Sequence, residues 1–187
     1  EELENAAKDN PKLNFALVDG EITGKKNISS ATFKDQESAY LAGIAAAYTT
    51  KSNQVGFIGG MEGPVIQRFQ SGFEAGVKAG AEALNKEITV NVQYAASYDS
   101  PDKGKAIAAS MYKEGADILY QAAGSTGAGV FQEAKARNEN DYSRKVWVIG
   151  VDRDQADEGD YKMENGETGN FTLTSTKKNV GAAVKEF

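Results

Sequence analysis

The sequence predicts an α/β protein built on a parallel sheet with helices packed on both faces. Three observations carry that prediction. Short apolar, β-branched runs alternate along the whole chain with segments of helical pattern. Most of those helical segments run to about ten residues or more, the length a right-handed crossover between parallel strands requires. The apolar runs stop at aspartate or glycine, at Asp19-Gly20, Gly59-Gly60, Gly124 and Asp152, and such residues suit the sharp turns that leave a strand.

Taken in order, residues 14–18 (NFALV) read as a buried strand, and 27–33 (NISSATF) as a weaker second one. Residues 36–49 have the 3.6-residue period and the small side chains of a closely packed helix. Residues 54–58 (QVGFI) form a strand. A helix over 64–84 follows, with Pro64 near its first turn, where a missing N–H costs nothing. A strand at 88–95 (ITVNVQYA) leads to a helix over 102–114, and a strand at 116–122 (ADILYQA) leads to one over 128–136. Residues 146–151 (VWVIGV) form a strongly apolar strand. The polar stretch 154–169 reads as a loop, 171–175 (FTLTS) as a short strand, and 179–187 as the start of a helix.

Composition narrows the chemistry. The 187 residues contain no cysteine and no histidine, so no disulfide, thiolate nucleophile, Cys/His zinc site or Ser-His-Asp triad can be built from them. A formal net charge of -6 disfavours nucleic acid as a partner, because an acidic surface repels a phosphate backbone. No apolar run approaches the ~20 residues of a membrane helix. The chain opens with Glu1-Glu2-Leu3, without a signal peptide, and reads as a trimmed chain.

In parallel sheets ligands sit beyond the carboxyl ends of the strands, so the residues there are the candidates. Asp19 and Asp152 each close an apolar strand. A carboxylate in that place can accept hydrogen bonds from the vicinal hydroxyls of a sugar ring, and it can equally be a turn or N-cap residue. Tyr98 lies just past a strand and Phe33 closes one, and both offer rings for stacking on a planar base, or are ordinary rim aromatics. Gly124-Ser125-Thr126-Gly127 lacks the Gly-Lys-Ser/Thr ending of a phosphate loop. It fits a glycine turn that lets the backbone approach a neutral ligand, or a purely structural strand-to-helix turn. The acidic run Asp152, Asp154, Asp157, Asp160 departs from a calcium loop at Ala156 and Gly159 and lacks a closing Glu, so it reads as a solvated loop.

Five segments then resemble, in order, the basic membrane protein family of purine nucleoside receptor lipoproteins. They are Phe33-Lys34-Asp35-Gln36 with Ala39 to Gly43; Val55 to Met61 with Arg68-Phe69 and Gly72 to Gly76; Ala116-Asp117-Ile118 with Ala122-Ala123-Gly124 and Thr126-Gly127; Ile149 to Gln155; and Thr174 to Lys178. The resemblance covers essentially the whole chain. It implies a type I periplasmic binding protein-like fold, in which two three-layer αβα lobes with parallel sheets, joined by crossing strands, close on a ligand. One lobe would be complete, at about 34–155. The other would be partial, made of 1–33 and, with the crossing segments, 156–187.

The resemblance also implies a function and roles. The function is the extracellular solute-binding component of an ABC importer, taking nucleosides without catalysis or cofactor. Its partners would be a nucleoside and the importer's permease, and its membrane contact a lipid anchor absent from this chain. Asp152 would bind the ribose hydroxyls, with Lys178, rather than Lys177, reaching the ribose or steadying Asp152. Asp19 would take the base edge. Tyr98, standing where the family usually has Phe, would stack on the base. Met61 would pack against the base, and Gly124 and Gly127 would let the main chain close on the ligand. A sugar receptor of the same fold needs only Asp152, Asp19 and an aromatic. A nucleoside-processing enzyme is the more distant alternative, and lacks a histidine and a calcium cluster.

Overall fold

A computed structural model describes residues 2–140 and 144–187. Two compact units divide the chain, one made of Glu1–Lys34 with Lys178–Phe187, the other of Asp35–Lys177.

The larger unit holds a five-stranded sheet in the order β4-β3-β5-β6-β9, every neighbouring pair parallel. Its strands are β3 (Gln54–Gly59), β4 (Thr89–Tyr94), β5 (Ile118–Ala122), β6 (Trp147–Asp152) and β9 (Thr172–Lys177). The central strands are apolar almost throughout because both their faces are covered. Val55, Phe57, Ile118, Tyr120, Ile149 and Val151 point to one side, where α2 (Asp35–Thr49) and α3 (Pro64–Leu84) pack. Ile58, Leu119 and Val148 point to the other, against α4 (Pro101–Lys113) and α5 (Gly127–Asn140). This is the three-layer αβα arrangement of the type I binding-protein fold.

The small residues of α2 and α3 allow an unusually close helix pair. A Cβ on Gly76 would run into the carbonyl of Tyr40, and one on Gly43 into the carbonyl of Phe73. At the far end of α2 a buried carboxylate closes the turn. Asp117 accepts from Thr50 Oγ1 at 2.6 Å and from the backbone N–H groups of Lys51 and Ser52 at 2.7 and 3.0 Å. At the near end, buried Asp35 pairs with Arg68 of α3 at 3.1 Å.

Two readings from sequence change. The stretch 154–169 is not only loop: β7 (Asp160–Lys162) and β8 (Thr168–Asn170) form an antiparallel hairpin. Its tight turn contains Gly166 at φ 89, and it is anchored where Tyr161 packs on Phe171. With so few residues per strand, no alternation long enough to read exists. The strand at 171–175 runs instead over Thr172–Lys177 and joins the main sheet beside β6. That pairing carries the compact unit on to Lys177.

The smaller unit contains α1 (Glu2–Asp9), β1 (Phe15–Val18), β2 (Ile28–Ala31) and α6 (Val180–Lys185), with β1 and β2 parallel. The helix α1 was not read from sequence. Glu2 and Glu4 in its first turn and Lys8 in its last suit the helix dipole. The amide of Asn27 donates to the carbonyls of Ala7, Asn10 and Leu13, which ties the segment after α1 to the start of β2. Asn179 caps α6, accepting from Ala182 N–H at 3.1 Å.

Candidate functional site

Chain order in the larger sheet reverses at β3. The crossover through α3 places β4 on one side of β3, and the next, through α4, returns to place β5 on the other. The loops leaving β3 and β5 therefore part toward opposite faces, the arrangement at which α/β sheets bind ligands. The two strand ends are tied by Gly60 N–H donating to the carbonyl of Ala122 at 3.0 Å. Tyr98, from the loop after β4, lays its ring over Gly60, in the space a Cβ there would claim. The Tyr98 hydroxyl reaches the Met61 carbonyl at 3.4 Å, and both side chains remain substantially exposed. Gly124, at φ 56, passes close to the Tyr98 backbone. The structure thus groups Met61, Tyr98 and Gly124 at one reversal point.

Gly127 is different. It is buried at the start of α5, and a Cβ there would strike the side-chain amide of Gln121. Its glycine is required by that packing, whatever lies outside.

Asp152 ends β6 at the same edge of the same sheet. It adopts φ 66, a left-handed conformation that aspartate tolerates better than most residues, and it is exposed. The turn after it is held from below by Gln155. The Gln155 side-chain oxygen accepts from Val151 N–H at 2.8 Å and from Gln121 Nε2 at 3.0 Å, and its backbone N–H donates to Ser175 Oγ at 3.1 Å. The Tyr120 hydroxyl beneath is hydrogen-bonded to Thr176 at 2.8 Å. Burial pushes its pKa up; the hydrogen bond to Thr176 works against that, and the nearby carboxylates of Asp152 and Asp35 add to it. Further along this acidic loop Arg153 pairs with Glu158, and Lys177 lies 3.8 Å from Asp154. Among the described residues no cluster of acidic side chains is arranged to hold a metal ion.

The smaller unit gathers the other three candidates. Asp19 directly follows β1, also at φ 66. Its Oδ2 accepts from Lys178 Nζ at 2.7 Å, and the Lys178 side chain is only 6% exposed. The same ammonium lies 5.3 Å from the centre of the Phe33 ring, within range of a cation–π attraction. The second carboxylate oxygen of Asp19, Oδ1, is buried and has no hydrogen-bond partner among the described residues.

Sequence reading gave no role to Gln121, or to Thr126 and Gln155 within the segments it quoted, each a buried polar side chain at these strand ends. The only signal was their position beside residues already singled out, since a polar residue in a turn ordinarily faces water.

The sequence pattern of the family described as ABC transporter substrate-binding protein, PnrA-like, matches residues 1–187. The chain belongs to that family. Among curated relatives, this PnrA-like chain is 54% identical over 182 residues to the "ABC transporter nucleoside-binding protein BmpA" of Lactococcus lactis, covering 97% of this chain and 51% of that protein. It is 50% identical over 184 residues to a "CD4+ T-cell-stimulating antigen" of Listeria monocytogenes, covering 98% and 50%. The PnrA-like chain therefore spans about half the length of the curated relatives it matches. Among solved structures, a solute-binding protein of an ABC transporter system from Aeropyrum pernix superposes with a TM-score of 0.76 at 30% identity, covering 82% of this chain and 43% of that one. A transcriptional activator of the comK gene from Bacillus halodurans gives 0.73 at 26%, covering 96% and 54%. Among the described residues of the PnrA-like chain no helix is long and apolar enough to cross a membrane.

Proposed function

We propose that this chain is part of an extracytoplasmic receptor that binds nucleosides, purine nucleosides first, and delivers them to the permease of an ABC importer. The observation that carries this reading is the unpartnered, buried Oδ1 of Asp19. A buried carboxylate oxygen without a donor costs free energy, and a ligand N–H would remove that cost. The edge of a purine base presents such donors, while Lys178 holds the other oxygen in place. Asp152 would accept from the ribose hydroxyls, Tyr98 would stack on the base with Met61 beside it, and Gly124 would let the main chain approach. Phe33 would supply a second aromatic surface. Gly127 would act by setting the start of α5. The nucleoside-binding name of the Lactococcus relative supports the same ligand class. Membrane attachment through a lipid anchor belongs to this reading of the whole protein.

Calorimetric titration of the full-length protein with guanosine, adenosine, inosine, ribose and galactose tests the reading. Nucleosides should bind and the free sugars should not. Asp19→Ala should weaken nucleoside binding about ten- to a hundred-fold, the range for a hydrogen bond to a charged group. Sugar binding without nucleoside binding, or an Asp19→Ala protein of unchanged affinity, would overturn it.

A further inference from the structure

Tyr98 stands in an irregular stretch between β4 and α4, with Ala96 nearby at φ 52, and is 43% exposed. An aromatic side chain exposed to that degree ordinarily samples several rotamers, and its loop moves with it. Here the loop is pinned from beneath by one residue. Thr126 is fully buried. Its Oγ1 donates to the carbonyl of Ser97 at 3.0 Å and accepts from the N–H of Ser100 at 2.9 Å, on either side of Tyr98. Its backbone N–H donates to the carbonyl of Tyr98 itself at 3.1 Å. Thr126 cannot back away, because its own carbonyl lies where a Cβ on Gly104 of α4 would be. On the other side, Ser97 N–H donates to the Gly60 carbonyl at 3.3 Å, and the ring rests where any side chain at position 60 would stand.

We infer that Thr126 and Gly60 are the positioning residues for the Tyr98 ring: Thr126 fixes the backbone that carries it, and Gly60 leaves the space in which it lies. The inference rests on the proposal that Tyr98 meets the base of the ligand. Its physical content is preorganisation. A ring already held over the reversal point loses little freedom when a base stacks on it, and a ring released from its loop loses more.

The experiment is a double-mutant cycle on the full-length protein, read by calorimetry with guanosine and inosine alongside thermal unfolding. Thr126→Val keeps the shape and removes Oγ1, and should weaken binding about three- to ten-fold, the range for ordering one side chain. Thr126→Ser keeps the hydroxyl and should stay within about twofold of the parent. In a Tyr98→Ala background Thr126→Val should cost nothing further, because no ring remains to be positioned. Gly60→Ala should weaken binding to a similar degree with little change in melting temperature, since its methyl group meets an exposed ring that can swing aside. This variant keeps the test open if Thr126→Val fails to fold. Losses from Thr126→Val and Tyr98→Ala that simply multiply would overturn the inference. So would a Gly60→Ala protein that binds as the parent does. A Tyr98→Ala protein with parental affinity would also overturn it, while the nucleoside titration of the parent would separately show whether the wider proposal stands.

Discussion

The two units solve the problem of burying a sheet very differently. Asp35–Lys177 covers five parallel strands on both faces, with two separate apolar clusters that include Phe57, Phe73 and Tyr120 on one side and Leu119, Tyr112 and Phe131 on the other. The unit made of Glu1–Lys34 and Lys178–Phe187 has a two-stranded sheet, and among its described residues the buried apolar side chains are Ala7 and Ile28. A sheet of two strands is marginal alone, because it removes too little apolar area from water to offset chain entropy. Candidate residues nonetheless stand on both units. What differs within these residues is how a candidate side chain is held, over apolar burial in one unit and by charge in the other. Met61, Tyr98, Gly124 and Asp152 project from a rigid platform, whereas Asp19, Phe33 and Lys178 are held by an ion pair and a cation–π contact.

The largest effect that would separate the units is in hydrogen exchange. Amides of β3, β5 and β6 should open only with global unfolding, which in a domain of ordinary stability means rates at least ~1,000-fold slower than in β1 and β2. Equal protection, measured by mass spectrometry, would erase the comparison. Next comes the core itself. The Phe73 ring lies 5.1 Å from that of Tyr120 and 6.4 Å from that of Phe57, and Phe73→Ala should cost the larger unit about 3–5 kcal/mol in denaturant unfolding. Ile28→Ala should leave that transition where it was.

A third, smaller effect tests the polar lock of the larger unit. Asp117→Ala strands the Thr50 hydroxyl and two backbone N–H groups, for an expected loss of about 2–3 kcal/mol. A variant as stable as the parent would mean that water replaces the carboxylate at no cost. The smallest concerns alkaline pH. Burial raises the pKa of Tyr112 and of Tyr120 above the ordinary tyrosine value. The folded state therefore favours the neutral phenol. Its contribution is intact below pH about 10, and is lost as pH rises from there toward the folded pKa, at about 1 kcal/mol for each tyrosine by pH 11. Unfolding of the larger unit at pH 9 and 11 should show that decline, and a Tyr112→Phe, Tyr120→Phe double variant should reduce it. A parent protein equally stable at both values would contradict the burial on which the comparison rests.

Much of the architecture was legible because buried parallel strands announce themselves. The run at 146–151 is apolar throughout and that at 54–58 is so after Gln54, and the helix at Pro64–Leu84 has a proline at its start and an apolar face. The hairpin of β7 and β8 was not legible. Its strands are three residues each, too short for a period, and it is held by the contact of Tyr161 with Phe171, outside the hairpin itself. The helix α1 escaped for a similar reason: it spans eight residues and buries only Ala7.

At the candidate site the division is sharper. Strand ends can be located from local chemistry alone, since an aspartate or glycine after an apolar run marks a turn. That is enough to single out Asp19, Gly60, Gly124 and Asp152. Which of them meet was decided only by the tertiary structure. Tyr98 and Gly60 are brought together by the reversal of strand order at β3. Lys178 reaches Asp19 across nearly the whole length of the chain. Thr126 grips a loop far earlier in the sequence. Local turn chemistry acts over a few residues, whereas crossover topology and long-range hydrogen bonds arise only when separate segments share one sheet edge or one unit.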